Sequence, residues 1–197
     1  FGDGAGAFVV SRKEEGSPSD LHYLDLYLDG SRGCQLALPN NRPNAPMVKP
    51  RSEEALMKTG MVTMQGKSVF KFAVEDVLGL IRQAVEKSGF QPDEIDYYVM
   101  HQANYRILDA MAERFTLSKE QVIINLENYG NTSAASIPLA MVDALKDGRI
   151  KPGKRLLFCG FGAGLAVATA IVDWHAVDHR VNNSDATALS TPVISCT

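Results

Sequence analysis

His101 and Asn131 are the residues whose type and position most invite chemistry. His101 stands at the end of a strand-like run, residues 95–100, just ahead of a helical segment. α/β folds place ligands at such strand ends, where an imidazole can serve as electrophile or base. The alternative is a partly exposed histidine with satisfied hydrogen bonds. Asn131 lies thirty positions later, before Thr132-Ser133 and a second helical run. Asparagine is a favoured helix N-cap, so capping competes with chemistry there, and Asn104 could cap its own helix in the same way. His22, His175 and His179 show no partner pattern.

Two glycine clusters, Gly2-x-Gly4-x-Gly6 and Gly160-x-Gly162-x-Gly164, have the look of dinucleotide loops. That motif needs a helix N-terminus aimed at the pyrophosphate. Both clusters run instead into β-branched segments, which excludes a nucleotide site. Their glycines suit tight turns. In the second cluster a backbone amide near Ala163 could also approach a ligand as an oxyanion donor. The three cysteines, Cys34, Cys159 and Cys196, have neither metal-ligand nor redox spacing. Cys34 follows Gly33 in a turn, Cys159 sits inside a strand and Cys196 is near the end. None has a helix N-terminus or an adjacent histidine to activate it, and no metal site is expected.

Read together, the words are more specific. His101-Gln102-Ala103-Asn104 and Gly130-Asn131-Thr132-Ser133-Ala134-Ala135-Ser136-Ile137-Pro138-Leu139-Ala140 closely resemble the histidine and asparagine motifs of the β-ketoacyl-acyl-carrier-protein synthase III family. Phe1-Gly2-Asp3-Gly4-Ala5-Gly6-Ala7, the stretch from Met64-Gln65-Gly66 to Val74, and Phe161-Gly162-Ala163-Gly164 match in order and spacing. The resemblance covers residues 1–174 and implies the second half of a thiolase fold, which has two similar halves of mixed sheet and helix.

The same resemblance implies a function. His101 and Asn131 would be two members of a Cys-His-Asn triad that condenses an acyl group from acyl-CoA with malonyl-acyl carrier protein. Decarboxylating a malonyl thioester builds charge on the thioester oxygen, and two neutral N–H donors stabilise that enolate. Gly66, Phe70, Ala103, Asn104, Ile107 and Phe161 match positions lining the pantetheine tunnel. Lys71 and Arg106 match basic positions at the tunnel mouth, where an acidic carrier protein docks. Both could equally be solvated helix charges, with Lys71 pairing Glu75. No cofactor is implied, since coenzyme A thioester and phosphopantetheine arrive as substrates.

Departures from the family sharpen the expectation. The acylated cysteine belongs to the other half, which would be a separate chain or a missing segment. Ala163 stands where the family usually has glycine. The complete enzyme would be a homodimer in the cytoplasm. Two other readings stay open: a non-catalytic partner in a thiolase-fold heterodimer, and a polyketide- or quinolone-type acyltransferase.

The elements that must position these residues are legible in the hydrophobic pattern. Residues 5–11 read as a buried strand, and residues 21–29 alternate as a half-buried one, Leu24, Leu26 and Leu28 against Asp25, Tyr27 and Asp29. Residues 39–50 are rich in breakers and read as loop. Residues 68–88 are the strongest helix, with Phe70, Val74, Val77, Ile81, Ala84 and Val85 on one face. Then follow strand 95–100, helix 104–115, strand 122–126, helix 133–145, and strands 155–159 and 165–174. This order predicts an α/β fold with a mixed sheet of about five strands covered by helices. The first strand should sit inside that sheet, and the chain should expose an apolar surface where its other half packs. Residues 175–197 read as a polar extension with at most a short strand near Val193.

Composition closes off other classes. The 197 residues are 45% hydrophobic and 22% charged, enough for a core. A net charge of −3 argues against nucleic-acid binding through bulk electrostatics. No apolar run approaches the ~18 residues a membrane span needs.

Overall fold

The structure, a computed structural model, describes residues 1–12, 17, 19–38, 62–175 and 193–196. In chain order these form β1 (Val9–Arg12), β2 (Leu21–Leu28), a 3-10 helix (Gly30–Gln35), β3 (Leu36–Ala37) and β4 (Thr63–Met64). Next comes a long helix in three parts: α1 (Gly66–Phe72), a π-helical turn (Ala73–Val77) and α2 (Leu78–Ser88). Gly89 ends it with a left-handed φ of 81°, which costs glycine little. β5 (Tyr97–Met100), α3 (Tyr105–Phe115), α4 (Leu126–Tyr129), α5 (Ser136–Lys146), β6 (Lys154–Gly162), β7 (Ala166–Trp174) and β8 (Val193–Cys196) complete the described chain.

The main sheet has four strands in the order β2-β7-β6-β5. β5 runs parallel to β6, while β6–β7 and β2–β7 are antiparallel. Its central strands are buried on both faces, and their side chains alternate between two cores. On one face Leu157 and Ile171 meet Phe72, Val77 and Ile81 of the long helix, with Ile107, Leu108 and Met111 of α3. On the other, Val99, Leu156 and Val172 meet Ala140, Met141 and Ala144 of α5. Burying each large apolar side chain in these layers stabilises the fold by about 1.5–3 kcal/mol. The sheet thus lies between two helical layers, and its strand ends meet the N-termini of α3 and α5.

Several expectations need correction. Residues 5–11 do not form a buried strand inside the sheet. Only Val9–Arg12 is extended pairing, in a separate two-stranded sheet parallel to β8, and Val9 and Val10 are exposed. The glycines before it serve close approach: a side chain at Gly2 would overlap the Tyr129 carbonyl, and one at Gly6 the Pro138 ring. The strand expected over 122–126 reduces to one parallel bridge, Tyr98 to Val122, because the chain turns into α4 at Leu126. The fifth strand position is therefore marked by that bridge alone.

The alternation in β2 holds from Leu21 to Leu26, with Tyr23 and Asp25 facing inward, and ends at Tyr27, which is exposed. Leu24, Leu26 and Leu28 point outward and are 60%, 75% and 70% exposed, an uncovered apolar stripe on an edge strand. The long helix also departs from its expected face. Val74, Val77, Ile81, Ala84 and Val85 are buried, whereas Phe70 is exposed and Val69 and Phe72 are buried instead. A π turn holds an extra residue per turn, so everything N-terminal to Ala73 is rotated relative to a 3.6-residue pattern. The loop expected over 39–50 lies outside the described residues, as do residues 176–192 of the expected extension.

Candidate active site

The site grows from the C-terminal end of β5. The His101 N–H donates to the Cys159 carbonyl at 2.8 Å, which carries the pairing with β6 one residue past the strand. The chain then reverses tightly, the Ala103 N–H donating to the His101 carbonyl at 2.9 Å. Gln102 points into the protein and is fully buried. Its Nε2 donates to the Met100 and Ile123 carbonyls, and its Oε1 accepts the Asn125 N–H. This amide ties the end of β5 to the segment leading into α4. Sequence reading quoted Gln102 only as a letter of the motif; a glutamine between a strand and a helix carries no signal that its amide is buried.

Asn104 caps α3, its Oδ1 accepting the Ile107 N–H at 3.0 Å, so the capping reading holds for it. Asn131 is fixed at two points. Its Oδ1 accepts the Ser133 N–H at 2.9 Å, and its Nδ2 donates to the Ala103 carbonyl at 3.2 Å. These contacts settle which way the amide faces and leave its second N–H for another acceptor. Ser133 has a φ of 52°, left-handed for a residue with a Cβ, at a cost of about 1–2 kcal/mol. That strain sits beside the two residues of chemical interest, as strain at functional sites commonly does.

The His101 ring is held by two contacts. Nδ1 lies 2.8 Å from Ser136 Oγ at the start of α5. The ring packs edge-on against Phe161, with centroids 5.2 Å apart. Burial lowers the pKa of His101 below its ordinary value, and the Ser133 carbonyl offsets part of that shift. The imidazole is therefore neutral near pH 7.

His101 and Asn131 open onto one cavity of about 660 Å³. Ala103, Asn104, Ile107, Phe161 and Ala163 also line it. So do Leu36, Leu38, Val62, Met64, Val69, Phe72 and Ile137, which sequence reading did not assign. The short strands β3 and β4 that carry some of these have too few residues to show a period. Gly66 and Phe70 are exposed and lie outside the wall, for the helical phase reason given above. Lys71 is exposed and faces Glu75 at 3.8 Å, an i,i+4 pair of small energetic weight. Arg106 is exposed on α3.

The slot is apolar, with a few amides and one imidazole, which suits a flexible and mildly polar ligand arm. Ala163 occupies the turn between β6 and β7. Thr116 and Ser133 are the non-glycine residues with positive φ among the described residues, so alanine at 163 carries no left-handed strain. Gly164 takes the positive φ instead, at 144°.

The setting of Cys159 does not suit a nucleophile. Cys159 is completely buried in β6, and burial pushes its thiol pKa up to about 12. Cys34 is exposed on the 3-10 helix. No group of metal-ligating side chains occurs among the described residues, and none of their helices is long and apolar enough to cross a membrane.

A family model described as 3-oxoacyl-[acyl-carrier-protein (ACP)] synthase III C terminal matches residues 85–174. The β-ketoacyl-[acyl-carrier-protein] synthase III of Prochlorococcus marinus (strain MIT 9313) is 41% identical over 177 residues, 89% of this chain and 51% of the relative. The synthase III structure from Thermus thermophilus superposes with a TM-score of 0.70 at 38% identity, over 83% of this chain and 48% of that one. The priming β-ketosynthase of the R1128 polyketide pathway gives a TM-score of 0.67 at 29% identity, over 78% of this chain and 45% of that one. The chain spans about half the length of the curated relatives it matches. The chain belongs to the β-ketoacyl-acyl-carrier-protein synthase III family, as the C-terminal half of its thiolase-type α/β fold.

Proposed function

We propose that this chain is the C-terminal catalytic half of an acyltransferase that condenses acyl-CoA with malonyl-acyl carrier protein, in the initiation of fatty acid biosynthesis. The observation that carries this reading is the shared apolar cavity of His101 and Asn131, each with its ring or amide orientation held by neighbours.

The chemistry follows from those groups. A malonyl thioester enters along the apolar slot with its carbonyl oxygen toward the His101 and Asn131 N–H donors. As the C–C bond to the carboxylate breaks and carbon dioxide leaves, its electron pair makes an enolate with charge on that oxygen. Two neutral, preorganised donors stabilise this charge without a proton transfer. The enolate carbon then attacks an acyl thioester on a cysteine of the complementary half, forming the new C–C bond and expelling the thiolate. The Ala163 region would supply a backbone N–H to the tetrahedral oxyanion of that step. Ala103, Asn104, Ile107 and Phe161 would contact the pantetheine arm, with Gly66 and Phe70 near its approach. Lys71 and Arg106 would meet an acidic carrier protein outside.

Co-expression with a complementary half is the direct test. The assembled enzyme should release carbon dioxide from malonyl-carrier protein and form β-ketoacyl product, while the 197-residue chain alone should do neither. Robust condensation by the chain alone would overturn the reading. The likeness to a polyketide priming ketosynthase supports a second reading, in which the same site extends a different starter. Product analysis with a panel of acyl-CoA primers separates the two.

A further inference from the structure

Ser136 carries a buried hydroxyl with a short list of neighbours. It is 2% exposed, at the first turn of α5, inside the motif that also supplies Asn131. Its Oγ accepts the Gln102 backbone N–H at 3.2 Å, a donor whose hydrogen has no freedom. Among the described residues, the one acceptor placed for the hydroxyl's own hydrogen is Nδ1 of His101, at 2.8 Å. A buried O–H is rarely left without an acceptor. The hydrogen therefore points at Nδ1, which must present its lone pair. In a neutral imidazole the ring proton then sits on Nε2.

From this accounting we infer that Ser136, oriented by the Gln102 N–H, is a positioning residue that fixes His101 as the Nε2–H tautomer. The inference deepens the function proposed above and rests on it. An enolate-stabilising imidazole must offer a hydrogen, and a ring protonated on Nδ1 would turn a lone pair toward the substrate and repel the developing charge. With the hydroxyl's hydrogen on Nδ1, that nitrogen cannot also carry the ring proton. Gln102 contributes twice, since its side-chain bonds hold the backbone N–H that orients the serine.

Long-range 1H–15N correlation spectra of 15N-histidine-labelled chain, at a pH where His101 is neutral, read the tautomer directly. His101→Gln identifies its signals among those of the other histidines. The expected result is an unprotonated Nδ1 shifted by an accepted hydrogen bond, with the proton on Nε2. In Ser136→Ala, Nδ1 should either gain a proton or move downfield as its donor is lost. Ser136→Thr, which keeps the hydroxyl, should restore the original pattern. In the assembled enzyme Ser136→Ala should reduce decarboxylation at least tenfold with KM for the malonyl substrate little changed, and Ser136→Thr should recover most of it. A wild-type spectrum with the proton on Nδ1, or an unchanged Nδ1 in Ser136→Ala, would overturn the inference. The expected tautomer in an assembled enzyme that releases no carbon dioxide would instead sink the functional reading and leave the assignment of Ser136 standing.

Discussion

Asn131 Nδ2 donates to the Ala103 carbonyl at 3.2 Å, joining two loops 28 residues apart in sequence. One loop follows β5 and carries His101; the other precedes α5. This bond holds both loops at one rim of the cavity, and it uses one of the two amide hydrogens. A single side chain therefore both assembles the site and keeps a donor for substrate.

Replacing either donor should expose that division of labour. In the assembled enzyme, His101→Ala or Asn131→Ala should slow malonyl decarboxylation by about 10²–10³-fold. Transfer of label from acyl-CoA to the cysteine of the complementary half should persist. Measuring carbon dioxide release and acylation separately checks this, and loss of acylation with decarboxylation intact would reverse the assignment.

The depressed pKa of His101 sets a direction for pH dependence. Its ordinary value is 6.5 and its folded value is lower, because burial disfavours the charged ring. Decarboxylation that relies on a neutral imidazole should be flat above about 6.5 and fall only when pH drops through the lower, folded value. Stability shifts the same way. Between the two values the unfolded chain binds a proton that the folded chain refuses, so stability declines as pH falls through that window. Denaturation midpoints of wild type and His101→Gln across acid pH would show it as a reduced slope in the variant.

Gln102 makes a structural prediction independent of activity. Gln102→Leu would leave the Met100 and Ile123 carbonyls and the Asn125 N–H unsatisfied in a dry environment. Each buried orphan typically costs about 1–3 kcal/mol, so a loss of about 3 kcal/mol or more is expected in urea unfolding. A change under about 1 kcal/mol would mean that water reaches these groups.

Thiol accessibility should separate the cysteines. Cys34 should react with iodoacetamide in the native chain, while Cys159 should react only after unfolding, being buried with a pKa pushed up to about 12. Peptide mass mapping after timed labelling reads both. Rapid native labelling of Cys159 would reopen it as a nucleophile.

The leucine stripe on β2 predicts a partner surface. Changing Leu24 and Leu26 to serine should leave stability of the chain alone nearly unchanged, because both are already exposed. It should weaken assembly with the complementary half by tenfold or more, as read by sedimentation of the mixture. Equal assembly by the variant would place the partner elsewhere.

The sequence by itself was enough to read the family, the elements β5, α3, α5, β6 and β7 in their order, and the motif letters that meet in the cavity. These features are local: β-branched runs, amphipathic spacing and short words survive without knowledge of neighbours. The capping bond of Asn104 and the place of Cys159 inside a strand were legible for the same reason. Tertiary structure alone decided the rest. The π turn at Ala73–Val77 rotated the face of α1, so Val69 and Phe72 reached the cavity and Phe70 did not. Periodicity could not foresee this, because an inserted residue changes phase without changing composition. The strand expected at 5–11 lay outside the main sheet, since an apolar run specifies extended backbone but not its pairing partner. The outward leucines of β2 follow the same rule: alternation divides residues between two faces, and only the packing of α2 decided which face became interior. The contact of Ser136 with His101, across 35 residues, is set by the sheet and helix layers that bring the start of α5 to the end of β5.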